Sequence, residues 1–382
     1  MNDTALRALL PQGLRDILPP DADHEADAVS RIMACFTQHG YLRVKPPLIE
    51  FEETLLDGAG AATSSHCFRV MDPLSQNMMG LRADMTPQVA RIAVARLAGA
   101  PRPLRLSYTG DVLRVKGSQL NPERQTCQAG LELIGSDSLA ADAEVLVLAA
   151  TALGDVGVPD ISVDLSLPTL VPMILKESGL SQQACTKVRD ALNHKDAAMV
   201  RDEGGAAAST LLALLEAAGP LDRAIERLNG LSLPSDAVAL WERLIAVVAL
   251  IRQSAPTLAL TLDPVENRGF EYHTGLAFTI FSRRGGGELG RGGRYLAGGD
   301  ETATGATLFL DGVLSVARPA ERGKTLFIPF GADQTRSLAL RADGWITIHG
   351  LEPVSDLKGE AKRLGCGYVL GATDIESVSS KE

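Results

Sequence analysis

Apolar residues recur at helical spacing after Pro20, where Val29, Ile32, Met33 and Phe36 share one face. Asp21 or Asp23 is placed to cap this helix, and Gly40 to stop it in the left-handed conformation. Residues 41–50 read as a strand; Pro46 and Pro47 suit an edge or a strand end, not a central strand. A second helix is expected after Met85, with Thr86 as N-cap and Pro87 as first helical residue. Its apolar stripe is Val89, Ile92, Ala93 and Leu97, and Gly99 ends it. Residues 104–113 and 127–134 read as a strand pair around a polar loop at 116–124. A helix over 139–153 is expected to end at Gly154. Ile161, Val163, Leu165 and Leu167 then alternate with Ser162, Asp164 and Ser166, the period of a half-buried strand.

The pattern changes at about residue 168. From there to 256 the chain is rich in Ala, Leu and charged residues at helical spacing, broken by Gly179, Gly204-Gly205, Gly219-Pro220 and Pro234. This reads as a helical insertion. Strands return at 258–262 and 276–281, and Gly285-Gly286-Gly287 reads as the turn into Glu288-Leu289-Gly290. Beyond residue 322 two strand-like runs, 325–328 and 345–348, a short helix at 357–364 and an apolar run at 368–370 make a small α/β tail. The organisation is an α+β core over 1–322, carrying the insertion at about 168–256, and a tail over 323–382.

Composition narrows the function classes. The 382 residues carry a formal net charge of −10, which disfavours a basic nucleic-acid stripe. Five cysteines, an odd number with no CxxC spacing, read as reduced thiols, and the scattered histidines imply no metal. No apolar run approaches the ~18 residues of a membrane span, and no leader pattern opens the chain. The expectation is a cytoplasmic protein with no cofactor.

Two runs carry the candidate chemistry: Arg268-Gly269-Phe270-Glu271-Tyr272-His273-Thr274-Gly275 and Gly292-Gly293-Arg294-Tyr295. Upstream, Gly110-Asp111-Val112-Leu113-Arg114 is followed by Arg124-Gln125-Thr126-Cys127-Gln128-Ala129-Gly130-Leu131-Glu132. In this order the runs resemble the class II aminoacyl-tRNA synthetases in their histidyl form, over about residues 11–317. Residues 40–50 resemble the dimer-interface strand of that family, 110–132 its second motif, and 292–314 the approach to its third. The resemblance implies a class II synthetase-like antiparallel sheet flanked by helices.

A zwitterionic ligand needs acceptors for its ammonium and a cation for its carboxylate. On the resemblance, Asp84 and Thr86 match positions that bind the α-amino group, and Gln128 and Arg268 positions near the carboxylate. Glu132 matches the reader of the imidazole N–H, and Tyr272 and His273 a tyrosine pair lining the ring pocket. Asp84 stands where the family has the longer glutamate, and His273 replaces a tyrosine. Each residue also has a plainer role: Thr86 as a helix cap, Asp84 as a solvated loop acid, Glu132 as a salt-bridge partner, Tyr272 as core, Arg268 as a surface cation.

The nucleotide half departs from the pattern. Adenylation needs preorganised cations around the α-phosphate. Arg114 keeps the arginine of the second motif, but Lys116 stands at its adenine-positioning glutamate and Gly312 at the arginine of the third. A further basic position reads Asn121-Pro122-Glu123. A retained histidine pocket beside a broken ATP site, with a shortened tail, resembles the regulatory subunits of ATP phosphoribosyltransferase. That resemblance implies a non-catalytic chain that activates a short-form catalytic subunit, relays inhibition by L-histidine in the first step of histidine biosynthesis, and forms a homodimer within a hetero-octamer, with no tRNA bound. Two other classes fit the sequence: a divergent histidyl-tRNA synthetase, and an adaptor that binds no ligand.

Overall fold

The computed structural model describes residues 9–117, 122–266, 272–319, 323–372 and 374–378. The chain divides into two compact units, Met1–Arg318 and Pro319–Glu382. In the first, helix α1 (Asp21–Gln38) leads through Gly40, at φ +83°, into β1 (Leu42–Arg43). Neither Asp21 nor Asp23 caps α1: Pro20 is the cap residue and both acids lie inside the first turn, where their charge favours the positive end of the helix. The 41–50 run is not one strand. Pro46 and Pro47 interrupt it, and β2 (Ile49–Phe51) joins a separate three-stranded sheet with β3 (Phe68–Met71) and β4 (Met78–Leu81), in the order β2-β4-β3. A short helix, α2 (Glu52–Leu55), follows β2.

Helix α3 (Thr86–Arg91) begins one residue earlier than the capping rule places it. Met85 is its cap residue, no side chain caps it, and the Thr86 hydroxyl is engaged elsewhere. It runs on as a wider turn over Ile92–Arg96. Strands β5 (Leu104–Leu113) and β6 (Gln125–Ile134) form the expected antiparallel pair. Helix α4 (Leu139–Asp155), capped by the Ser138 hydroxyl, passes through Gly154; the left-handed residue after it is Gly157, at φ +84°. β7 (Ile161–Ser166) precedes the insertion, which holds α5 (Leu170–Glu177), α6 (Gln182–Asn193), α7 (Ala197–Glu203), α8 (Ala208–Ala217), the two-residue strand β8 (Gly219–Pro220), α9 (Leu221–Leu228) and α10 (Ser235–Ser254). The chain returns through β9 (Ala259–Asp263), β10 (His273–Ser282), β11 (Gly285–Gly298), β12 (Glu301–Phe309) and α11 (Leu310–Val316).

The main sheet has nine strands in the order β1-β5-β6-β12-β11-β10-β7-β9-β8. From β5 to β7 every neighbour is antiparallel; β1 beside β5 and β9 beside β7 are parallel. The triple glycine is not the hairpin turn. Ser282 pairs with Gly285, so the turn is Arg283-Arg284, and the glycines open β11 at φ +119°, +82° and +65° where the register with β10 shifts. This is a glycine bulge, which only residues without a Cβ adopt at low cost.

Burial is alternate. One side chain set on the sheet joins α1, α4 and the insertion in a single large core that includes Phe36, Leu131, Leu146, Val163, Phe278 and Leu308. A buried ion cluster sits within it. Arg294 of β11, 5% exposed, pairs at 2.7 Å with Asp142 of α4, 1% exposed; Arg243 and the Thr304 hydroxyl complete the carboxylate at 3.0 and 2.6 Å. This fixes the helix layer against β11 and β12. The opposite set, which includes Met85, Leu106, Tyr108 and Tyr295, forms a second cluster under α3.

The second unit is a four-stranded sheet, β14-β13-β15-β16, built from β13 (Thr325–Ile328), β14 (Ile346–His349), β15 (Tyr368–Leu370) and β16 (Ile375–Ser377). Helices α12 (Gln334–Ala342) and α13 (Leu357–Arg363) connect its strands; α12 and β16 carry too few apolar residues to stand out in the sequence. Among the described residues no helix is long and apolar enough to cross a membrane.

Asp142→Ala should cost about 3–5 kcal/mol, because it leaves Arg294 buried without its main counter-charge. Urea unfolding measures this; a loss below about 1 kcal/mol would show that Asp137 and the backbone carbonyls around Arg294 already satisfy it.

Candidate functional site

The site lies on the sheet face that α3 covers, where β5, β6, β12 and β11 each present residues two apart. Glu132 of β6 is its centre and is wholly buried. The Tyr295 hydroxyl donates to its Oε2 at 2.8 Å and the Tyr108 hydroxyl to its Oε1 at 3.3 Å. Tyr108 also meets the hydroxyls of Thr307 at 2.8 Å and Thr86 at 3.2 Å, and these two threonines stand 3.4 Å apart. Thr86 is therefore a member of a buried hydroxyl chain and not a helix cap.

Space for the carboxyl comes from glycine. Gly305 faces Glu132 across the β6–β12 pairing, and a Cβ there would fall 1.7 Å from Oε2. Gly130 makes the same allowance for Tyr108, whose ring and hydroxyl a Cβ would meet at 2.3 Å. Burial pushes the Glu132 carboxyl up to about 8, against the lowering effect of the Tyr295 hydrogen bond and with help from the nearby charge of Asp84. The unliganded site therefore holds Glu132 protonated at neutral pH, so it can give a proton to a ligand or pair, ionised, with an imidazolium.

The other predicted residues gather around this centre. Asp84 is half-buried at the entrance to α3 and accepts from its neighbour Met85 N–H at 2.8 Å. Gln128 is buried and accepts from the same N–H at 3.2 Å, which ties β6 to the start of α3. Tyr272 and His273 stack with ring centroids 4.2 Å apart, and Tyr272 meets Tyr295 edge-on at 5.9 Å. His273 packs on Gly293, where a Cβ would lie 2.5 Å from its ring. Arg114 stands behind the Asp84 loop, with Nε 3.5 Å from the Ala83 carbonyl. Lys116 is exposed. Arg268, Glu271 and Asn121 lie outside the described residues.

Sequence reasoning did not single out Tyr108, Thr307 or Arg291, and treated Tyr295 only as part of a signature. Their membership depends on register between strands distant in sequence. The available signal was spacing: Gly305 and Thr307 alternate on β12 as Gly130 and Glu132 do on β6.

Residues 13–313 match the family model described as Histidyl-tRNA synthetase. The chain is 60% identical over 378 residues to the ATP phosphoribosyltransferase regulatory subunit of Paramagnetospirillum magneticum, covering 99% of this chain and 100% of that one. The chain belongs to the ATP phosphoribosyltransferase regulatory subunit family. Among solved structures, a protein of Bacillus halodurans described as an ATP phosphoribosyltransferase regulatory subunit/histidyl-tRNA synthetase superposes with a TM-score of 0.79 at 24% identity, covering 93% of this chain and 96% of that one. A chain of the ATP phosphoribosyl transferase complex of Thermotoga maritima gives 0.60 at 22%, covering 75% and 97%. The synthetase-like α+β fold and the regulatory, non-catalytic identity agree with the sequence.

The regulatory family accounts for the state of the nucleotide half. At Gly312 of α11 a Cβ would stand 2.9 Å from the carbonyl oxygens of both Gly286 and Glu288. The glycine bulge thus occupies the room an arginine side chain needs. An open cavity of about 580 Å³ lies where α1, the ends of β5 and β6 and α11 meet. Asp16, Asp21, Glu25, Asp111, Glu123 and Asp311 line it against Arg15 and His24, a charge balance that repels a polyphosphate.

The Glu132 shift gives a stability signature. Its folded value lies above the usual carboxylate value of 4.5, so the native state holds the proton that the unfolded chain releases. Stability from this group is full below about 4.5 and falls as pH rises toward about 8. Glu132→Gln should flatten that slope: thermal melts of wild type and variant between pH 5 and 8 should converge in their difference at low pH and diverge, in favour of the variant, at high pH. Parallel curves would place the ionised carboxylate in the native state.

Proposed function

We propose that this chain carries the feedback signal of its enzyme: it joins a short ATP phosphoribosyltransferase catalytic chain, activates it, and takes up L-histidine in the Glu132 pocket. The observation that carries the reading is the wholly buried Glu132 held by the Tyr108 and Tyr295 hydroxyls, with Asp84 and Thr86 on one side and the stacked Tyr272–His273 pair on the other. Such a site offers a proton-exchanging partner to an imidazole and an acid to an ammonium. Arg268, from the resemblance, supplies a cation to the carboxylate.

The experiment is a histidine titration of the reconstituted complex, with calorimetry on this chain alone. Asp84→Ala should raise the inhibitory histidine concentration about tenfold or more, since a charge-assisted hydrogen bond contributes about 1.5–3 kcal/mol, while activation of the catalytic chain persists. Arg268→Ala should act in the same direction. Unchanged inhibition in both variants would move the histidine site out of this pocket.

The dimer within the proposed hetero-octamer has a matching surface. Leu42, Phe51 and Met71, on β1 or the three-stranded sheet, and Leu74, in the β3–β4 turn, are exposed at 70, 47, 62 and 93%, and these elements include part of the run that resembles the family's interface strand. Apolar exposure of this kind marks an interaction face, and a self-complementary face closes a twofold. Sedimentation of wild type at micromolar concentration should give a dimer, and Phe51→Glu with Met71→Glu a monomer. A dimer that survives both charges would put the twofold on another face.

A further inference from the structure

An ion pair stands in the pocket that the motifs do not account for. Arg291 of β11 and Glu288, three residues before it, meet in bidentate geometry, Nε to Oε1 at 2.5 Å and Nη2 to Oε2 at 2.6 Å, and both are half-buried. Arg291 faces Thr307 in the register of β11 and β12, and its guanidinium lies 5.7 Å from the Phe309 ring centroid. Phe309 in turn pairs with Gln128, two strand steps from the Glu132–Gly305 pair. The guanidinium therefore reaches toward the Gln128 end of the pocket, away from the ring-reading end. Asp84 and Tyr272 are within its electrostatic reach.

We propose that Arg291, alongside the Arg268 assigned above, binds the carboxylate of the ligand and that Glu288 is its resident stand-in, displaced when the free amino acid enters. The proposal rests on the amino-acid reading of the pocket given above. Three observations carry it. A bidentate guanidinium–carboxylate pair is the contact an α-carboxylate would make, so the exchange replaces like with like and never leaves the half-buried cation bare. Glu288 follows Gly285, Gly286 and Gly287, all at positive φ, so its backbone has freedom that a regular strand lacks. Glu288 is also partly exposed, so its released carboxylate has water to receive it. The same segment rests on α11, because the Gly286 and Glu288 carbonyls close over Gly312. Displacing Glu288 therefore shifts a contact with a helix outside the pocket.

The two members of the pair should have opposite effects on affinity. Calorimetry on the full chain uses L-histidine and, as a probe without the carboxylate charge, L-histidinamide. Arg291→Gln should weaken histidine about tenfold or more, as expected for loss of a charged hydrogen-bonding partner. Glu288→Gln should tighten histidine about three- to tenfold, because the resident competitor loses its charge. Histidinamide should change by less than about twofold in either variant, since the exchange acts on charge it does not carry. A purely structural pair predicts that both substitutions weaken histidine together and lower the melting temperature together. That result, or an unchanged affinity in Glu288→Gln, overturns the displacement while leaving the histidine site in place. If the wild-type chain binds no histidine, the amino-acid reading falls and this inference with it. Glu288→Gln preserves side-chain size, so its result stands even where Arg291→Gln folds poorly.

Discussion

The pocket depends on one costly act, the burial of the Glu132 carboxyl in the middle of a nine-stranded sheet. Desolvation of an ionised carboxylate there costs several kcal/mol. The protein meets the cost by keeping the proton and by supplying hydroxyls instead of cations. That choice dictates its neighbours. Glycine is required at 305 because any Cβ would overlap the carboxyl, and at 130 because Tyr108 fills that space. Glycines weaken strands, and β11 bears several while β12 has Gly305 at its centre. The opposite face restores what is lost: Thr304, one residue from Gly305, reaches Asp142, and Arg294, next to Gly293, binds the same carboxylate. A polar pocket on one face and an ion-clamped helix on the other are thus two parts of one arrangement.

Much of this was legible because strands alternate. Gln128 and Glu132 share a face by spacing alone, and the order of the motifs identified the fold and the family. What local rules misread were positions where tertiary demands took a residue away from its local role. Thr86 reads as a cap, but the Tyr108 and Thr307 hydroxyls claim it. Three glycines read as a turn, but Ser282 and Gly285 close the hairpin first and leave them as a bulge. Residues 41–50 read as one strand, but the two prolines divide it between two sheets. Gly154 reads as a helix end, but Gly157 supplies the left-handed residue. Arg291 was invisible for another reason. Its place in the pocket follows from pairing among β10, β11, β12 and β6, and no spacing within one run reports that.

Gly312, where the resemblance puts an arginine, is more than a missing charge. The carbonyls of Gly286 and Glu288 hold the volume it would use, and the Glu288 carboxylate neutralises the cation nearest to it. A polyphosphate entering this half would meet no uncompensated cation among the described groups at the Glu288–Arg291 end. On the proposed reading, a ligand with a single carboxylate asks less, and the Arg291 guanidinium is already shaped for one. On that reading, the local structure that disfavours a polyphosphate favours a small zwitterion.

Binding by itself transmits nothing. A ligand shifts an equilibrium only by its differential affinity for the two states, and couplings of about 1–3 kcal/mol are typical of regulated assemblies. A rigid pocket would hold histidine equally well in every arrangement of the complex. The region around Glu132 is such a rigid part, since its hydroxyl chain and its glycine contacts leave no slack. The glycine bulge is the opposite: it is anchored at one end by the Glu288–Arg291 pair and rests at the other on α11. If histidine displaces Glu288 as proposed, a site that reads the ring with its stiff part and the carboxylate with its compliant part separates recognition from signalling. Specificity for the side chain can then be held high while the coupling is set independently, by how firmly one glutamate competes for one arginine.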